Sequence, residues 1–218
     1  MSSYQYGGNN PVNSIDINGD SLLITNSELI KAIYNGLENG RHISMQFNNG
    51  MLNPTSIEDQ AKNSNDFFLK DLYEIASSEK TVKLSLSDKN VYRGQHGIES
   101  VSFDMPYDDN DDAIPASQKE ELARAGMSFG KHIQGNLGET LVPDRVLASG
   151  KKSTNGNVQV IINKNGSLNH RTVGIAHEFG HVILYLRNKP FGHSQPGVDN
   201  FVYTQRADVM SKRLGYDY

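Results

Sequence analysis

The chain has no cysteine. That excludes disulfides and any zinc site built from thiolates, and it leaves a polypeptide whose chemistry is the same in oxidising and reducing compartments. Positive charge is not in excess: 21 Lys and Arg stand against 25 Asp and Glu, for a formal net charge of −4. With no strong basic patch, nucleic acid is not an expected partner. No apolar run approaches the roughly 20 residues that a membrane-spanning helix requires, and the N-terminus lacks the charged-then-apolar layout of a secretory signal. Apolar residues make up only 36% of the chain and the mean hydropathy is −0.55, while Gly and Asn are plentiful, so long loops are expected. The length of 218 residues still suffices for one domain with a sizeable core, alone or with an appendage.

What the sequence does contain is His177-Glu178-Phe179-Gly180-His181 inside an apolar, helix-period run. Residues four apart share a helix face, so His177 and His181 can offer two imidazoles to one metal ion. Glu178 lies about 100° around the axis from His177, where it can orient a water but is badly placed as a third ligand. With His177 at 0°, Ile175, Ala176, Phe179, Val182, Ile183 and Leu186 fall between about 140° and 260° and form a core face. Gly174, Leu184 and Tyr185 occupy the histidine side, which is no solvated, charged face. A helix buried on both sides needs partners for its histidines and glutamate, and a zinc ion bound by neutral imidazoles would satisfy them. No thiolate is available, so a third ligand has to come from elsewhere in the chain.

The remaining signals place this helix in an α+β domain. Ser21–Thr25 reads as a short strand, and Thr25-x-x-Glu28 as a capping box for a helix running to Asn39-Gly40. Ile43–Phe47 alternates as a strand and stops at Asn48-Asn49-Gly50. Ser56-x-x-Asp59 opens a helical stretch that breaks near Asn63–Asn65 and resumes over 66–78. Thr81–Leu86 and Glu99–Phe103 read as strands. Asp104–Asp112 is an acidic loop without EF-hand spacing, and Ser117-x-x-Glu120 caps a further helix ending at Gly126. A glycine-rich passage, Gly130–Gly138, carries His132, a loop histidine with no partner pattern. Asn157–Asn163 is the clearest strand, with Val158, Val160 and Ile162 on one face. His170 reads as a surface residue at the start of the histidine helix.

That helix should stop at Asn188, because Pro190 disfavours helix at Lys189 and cannot continue it. From His181 to Asn188 the helix advances roughly 10 Å, and the five residues to His193 can span up to roughly 16 Å. The chain can therefore double back and bring His193 to the metal, with Phe191-Gly192 and Pro196-Gly197 as turn residues. His193, Asp199 and Asp208 are the candidates for the third ligand, and reach and donor preference favour His193. Asp199 also suits a supporting role, as hydrogen-bond acceptor behind a ligand imidazole. Leu184 and Arg187 stand where a metzincin has Gly and His.

His177, Glu178 and His181, preceded by the strand 157–163, resemble the strand-then-helix core of the zincin metallopeptidases. The resemblance implies a zincin-like fold, with a small mixed or antiparallel sheet packed on the active-site helix and additional helices, and strand 157–163 as the edge that lines the substrate. It also implies a zinc peptidase: Zn2+ held by His177, His181 and His193 activates a water, Glu178 acts as general base, and a phenol helps stabilise the oxyanion. Tyr203, on the segment after the third ligand, is the first candidate for that phenol and Tyr185 the second. A metal-dependent hydrolase of a non-peptide bond and an inactive zinc-containing binding module are the alternatives.

Tyr4, Tyr6, Asn9, Asn10, Pro11, Val12, Asp16 and Gly19 resemble the segment that closes the repeat shell of Rhs/YD-repeat proteins. Ile17 stands where that family has Pro. The resemblance implies that residues 1–20 are the remnant of such a closing segment and that 21–218 form a toxin-type effector domain. Such a domain is secreted or delivered to a target cell as part of a larger protein, acts on a protein or peptide substrate, and is matched by a cognate immunity protein.

Overall fold

In the computed structural model the described residues are 21–38, 40–87, 89–90, 101–102, 137–143, 156–192, 197 and 200–217. The acidic loop 104–112, the helix 117–126, His132, His193, Asp199 and the closing segment 1–20 lie outside them.

Strand β1 (Leu22–Ile24) leads into helix α1 (Ser27–Gly36). The cap of α1 is Asn26, whose side chain accepts from the Glu28 N–H, rather than Thr25. Asparagine is the stronger cap of the two adjacent choices. Strands β2 (Phe47–Asn48) and β3 (Met51–Leu52) form a hairpin through Asn49-Gly50, both at positive φ, as a two-residue turn requires. The strand expected from Ile43 begins only at Phe47, since its apolar residues Ile43 and Met45 enter the core from irregular backbone. Helices α2 (Glu58–Asn63) and α3 (Phe67–Ala76) are separate, and Asp66 caps the second. Strand β4 (Val82–Ser87) follows, then a small separate pair, β5 (Lys89–Asn90) with β6 (Val101–Ser102). Strands β7 (Gly138–Leu141) and β8 (Val158–Asn163) precede the histidine helix α4 (Leu168–Leu186), and α5 (Asn200–Leu214) ends the chain.

Six strands make one mixed sheet in the order β2-β3-β1-β4-β8-β7. β1, β4 and β8 run parallel, while β3 and β7 are antiparallel to their neighbours β1 and β8. Strand β8 is therefore interior, between β4 and β7, and among the described residues the last strand on that side is β7. This corrects the expectation that 157–163 lines the substrate. In β8, Val158, Val160 and Ile162 are buried beneath the helices, while Gln159 on the opposite face is half-buried; Gly138–Leu141 is short, half polar, and carries little strand signal.

Cross-strand rows align Leu22 with Val82 and Val158, and Ile24 with Leu84 and Val160. All six are buried on the face that receives the helices. Helix α4 crosses that face and is also packed by α1, α3 and α5. Thirteen of its residues are buried, Gly174, Leu184 and Tyr185 among them, so it is enclosed on both sides as its pattern predicts. Phe179 stacks on Phe68 of α3 at 6.0 Å between centroids. Ser167 caps its start by accepting from the His170 N–H. It ends at Leu186, with Asn188 in the left-handed region at φ 55°. No described helix is long and apolar enough to cross a membrane.

Candidate metal and catalytic centre

Helix α4 brings His177 and His181 together as the four-residue spacing dictates. Their Nε2 atoms are 3.2 Å apart. This is a hydrogen-bond distance, with His177 Nε2–H donating to His181 Nε2, and it is also compatible with a shared ion, since two nitrogens bound to one tetrahedral zinc at 2.0–2.1 Å are separated by about 3.3 Å. Behind it, His181 Nδ1–H donates to the Phe191 carbonyl. That bond fixes the tautomer and leaves Nε2 as the lone-pair nitrogen, the support that metal-binding histidines usually have. The donor type, separation and outer support all fit zinc. Phe191 lies ten residues beyond His181, so the chain does double back after α4.

Tyr203 of α5 reaches the same histidines. Its ring stacks on His181 at 4.0 Å between centroids and 24° between planes, and meets His177 edge-on at 5.2 Å. It is 1% exposed. The approach is close because Gly180, inside the motif, has no side chain: a Cβ there would stand 2.6 Å from the Tyr203 Cα. Residues before and after the segment 193–199 thus both touch the histidine pair, through Phe191 and Tyr203. His193 and Asp199 belong to that segment. Asp208, by contrast, is an exposed residue of α5, and no group of three or more His, Asp or Glu able to hold a metal occurs among the described residues. Asp208 therefore does not join the pair. Tyr185 packs edge-on against Phe191 at 5.4 Å with Lys80 over its ring, so it supports the residue that holds His181.

Three arginines fasten the helices around this wall. Arg206 of α5 pairs through two nitrogens with Asp71 of α3. Arg213 pairs with Asp66 at 3.0 Å and donates to the Gly36 carbonyl. Arg187 makes a two-pronged pair with Glu74 at 2.8 and 2.6 Å. Asp71 is buried, and burial pushes its carboxyl up while Arg206 pulls it back.

Glu178 turns the other way, toward β7. It is 3% exposed, and its Oε2 accepts from the Thr140 hydroxyl at 2.7 Å. Among the described residues Thr140 is the only group bonded to that carboxyl. Burial pushes the Glu178 carboxyl up to about 8, with the Thr140 bond opposing the rise. In the metal-free chain Glu178 is therefore mostly protonated at neutral pH, and an adjacent cation would favour the ionised form. Sequence reasoning missed Thr140. Its only signal was a polar β-branched residue just after the glycine-rich passage, at a place where the strand itself was not recognised. His170, expected at the surface, is half-buried and bonds the Tyr216 hydroxyl at 3.1 Å.

Comparison with known protein families, with curated proteins and with solved structures finds no match for this chain.

Proposed function

We propose that the chain is a zinc-dependent peptidase of the zincin type, hydrolysing peptide bonds in a protein target. The observation that carries the reading is the 3.2 Å separation of His177 and His181 Nε2, with a buried carboxylic acid on the residue between them. His177 and His181 would hold the ion. A third donor from the segment between Phe191 and Tyr203 completes the set, with His193 first and Asp199 second. Bound zinc supplies Lewis acidity toward a carbonyl and a water, and a positive charge that favours ionised Glu178. Glu178 accepts the proton of the attacking water and returns it to the leaving nitrogen. The Phe191 carbonyl keeps His181 in the tautomer that leaves Nε2 available. Tyr203 walls off one face of His181, and its phenol is the candidate for contact with the oxyanion. The choice of a peptide as substrate rests on the resemblance of His177, Glu178 and His181 to the zincin metallopeptidases.

The resemblance of Tyr4–Gly19 to an Rhs closing segment supports a delivered effector with a cognate immunity protein as the biological setting. The chemistry is tested with the purified chain, measuring zinc content and the cleavage of denatured proteins. Glu178→Gln is expected to keep its zinc and lose activity by roughly 100-fold or more. Full activity in that variant removes the mechanism, and unchanged zinc content in His193→Ala removes His193 from the ligand set.

A further inference from the structure

The two cross-strand rows that reach the end of the sheet change character at their last residue. Ile24, Leu84 and Val160 form one row, and its β7 member is Thr140; Leu86 and Ile162 form the next, and its β7 member is Gly138. Alternate residues of a strand share a face, so Gly138 and Thr140 both look toward α4. An apolar residue at either place would continue the core. Instead, a Cβ at Gly138 would stand 2.5 Å from the Ile161 carbonyl oxygen of β8 and 3.1 Å from both the Glu178 Cγ and the Ile162 Cδ1, and the Thr140 hydroxyl meets Oε2 at 2.7 Å. That hydroxyl also lies 3.3 Å from the Glu178 carbonyl oxygen, but it has one proton, and the carboxyl is the nearer acceptor.

We infer that Thr140, with Gly138 beneath the Glu178 methylenes, is the positioning residue of the base; the inference rests on the reading of Glu178 as that base. A glutamate side chain has three rotatable bonds, and ordering it costs conformational entropy. Glycine at 138 gives the chain room to lie against the strand, and one hydrogen bond from the Thr140 hydroxyl at Oε2 fixes its end while leaving Oε1 uncommitted among the described residues. Thr140 does not touch the histidines and does not react. It sets where the proton acceptor stands.

Two measurements on the full chain test this. The first is steady-state cleavage with zinc bound. Thr140→Val is expected to lower kcat roughly 10- to 100-fold, the range expected when a reacting group is misplaced by about an ångström, with KM within about twofold and zinc content unchanged. Thr140→Ser, which keeps the hydroxyl, is expected to recover most of the loss. The second uses chelator-treated protein and no activity at all: urea unfolding of Thr140→Val, Glu178→Met and the double variant. The double variant's unfolding constant is expected to differ from the product of the single effects by about fivefold or more. Coupling below about twofold overturns the contact. Coupling with an undiminished kcat in Thr140→Val, or equal losses in the Val and Ser variants, overturns the positioning role. A wild-type chain that cleaves no protein while the coupling persists counts against Glu178 as a peptidase base, not against the Thr140 contact.

Discussion

Glu178 and His181 stand three residues apart on one helix, yet the walls that hold them are built differently. The β7 wall is four residues long, carries no ion pair to α4 in the described geometry, and grips Glu178 through one hydroxyl and one missing side chain. The α5 wall is a fifteen-residue helix. It is fastened to α3 by Arg206–Asp71 and Arg213–Asp66 before Tyr203 stacks on His181. Asp66 is itself committed, capping α3 at Phe68 and accepting from the Glu38 N–H. On the proposed reading, the difference separates two tasks. A metal site needs its nitrogens held whatever the protonation of their surroundings, and ion pairs bracing a helix do that. A base needs one oxygen left able to exchange a proton, and a single hydrogen bond on the other oxygen allows it. Perturbing one wall should therefore leave the task of the other largely intact.

The largest expected effect is on the β7 side and is driven by pH. The folded-state carboxyl of Glu178 is raised from 4.5 to about 8 by burial. Below the unfolded value both states are protonated, and the fold carries no ionisation penalty. As pH rises from about 4.5 toward 8 the unfolded chain releases a proton that the folded chain keeps, so stability is lost across that window. The shift corresponds to roughly 4–5 kcal/mol in metal-free protein. Glu178→Gln has no such proton, so wild type minus variant isolates the effect from other groups, Asp71 included. Urea unfolding in chelator between pH 5 and 8.5 should show wild type losing ground to the variant. Saturating zinc should flatten the difference, because a neighbouring cation favours the ionised carboxylate. Parallel curves in chelator would mean that Glu178 is already ionised in the fold.

Next comes the α5 side. Removing Arg206 leaves Asp71, whose side chain is only 4% exposed, buried without its guanidinium. Breaking one half of a buried pair typically costs about 3 kcal/mol or more. Arg206→Leu should lower stability by about that amount and weaken zinc binding, since α5 loses one of its two ties to α3, the one nearer Tyr203, and with it part of the hold on the ring at His181. The Thr140–Glu178 coupling should persist in this variant. The double replacement Asp71→Leu with Arg206→Leu should recover a large part of the stability, because no charge is then left unpaired. A single-variant loss below about 1 kcal/mol would place the pair among ordinary surface bridges.

How much of this was legible in the sequence follows the same division. The histidine helix, its burial on both sides and its end before Pro190 came from local periodicity and backbone chemistry, which act within a few residues. So did β1, β4, β8, the break between α2 and α3, and the return of the chain after Asn188. The partners of Glu178 and His181 depend on pairing across the sheet and on helix contacts far apart in the chain. Strand β7 has four residues, two of them Gly138 and Thr140, and neither alternation nor β-propensity marks so short a segment. Its place beside β8 is set by register with Val160 and Ile162. For the same reason β8 was misplaced as the edge: its pattern, with Val158, Val160 and Ile162 on one face, marks a strand but not its neighbours, and β7 was not recognised beside it. Tyr203 was singled out by its position after the third-ligand segment, but its stacking on His181 depends on Gly180, and nothing in the spacing of the motif marks Gly180 as a point of contact.

The smallest effects come from the two glycines that let each wall approach α4, and they separate the walls most cleanly. A Cβ at Gly180 would stand 2.6 Å from the Tyr203 Cα, and one at Gly174 would stand 2.9 Å from the Leu137 carbonyl oxygen at the entry to β7. Both obstacles are backbone, so a helix or a strand has to move rather than a side chain rotate. Alanine gains about 1 kcal/mol over glycine within a helix, and overpacking costs typically 1–3 kcal/mol, so the net loss in each variant should be modest, about 0–2 kcal/mol. Their functions should diverge. Gly180→Ala displaces Tyr203 from the histidine pair and is expected to weaken zinc affinity, with the coupling between Thr140 and Glu178 retained. Gly174→Ala pushes on Leu137 and is expected to reduce that coupling while zinc affinity stays near wild type. Equilibrium zinc titration and the double-mutant cycle, run on both variants, read the two walls separately. If each glycine substitution moved both quantities together, α4 would be transmitting strain along its length, and the independence of the two walls would be lost.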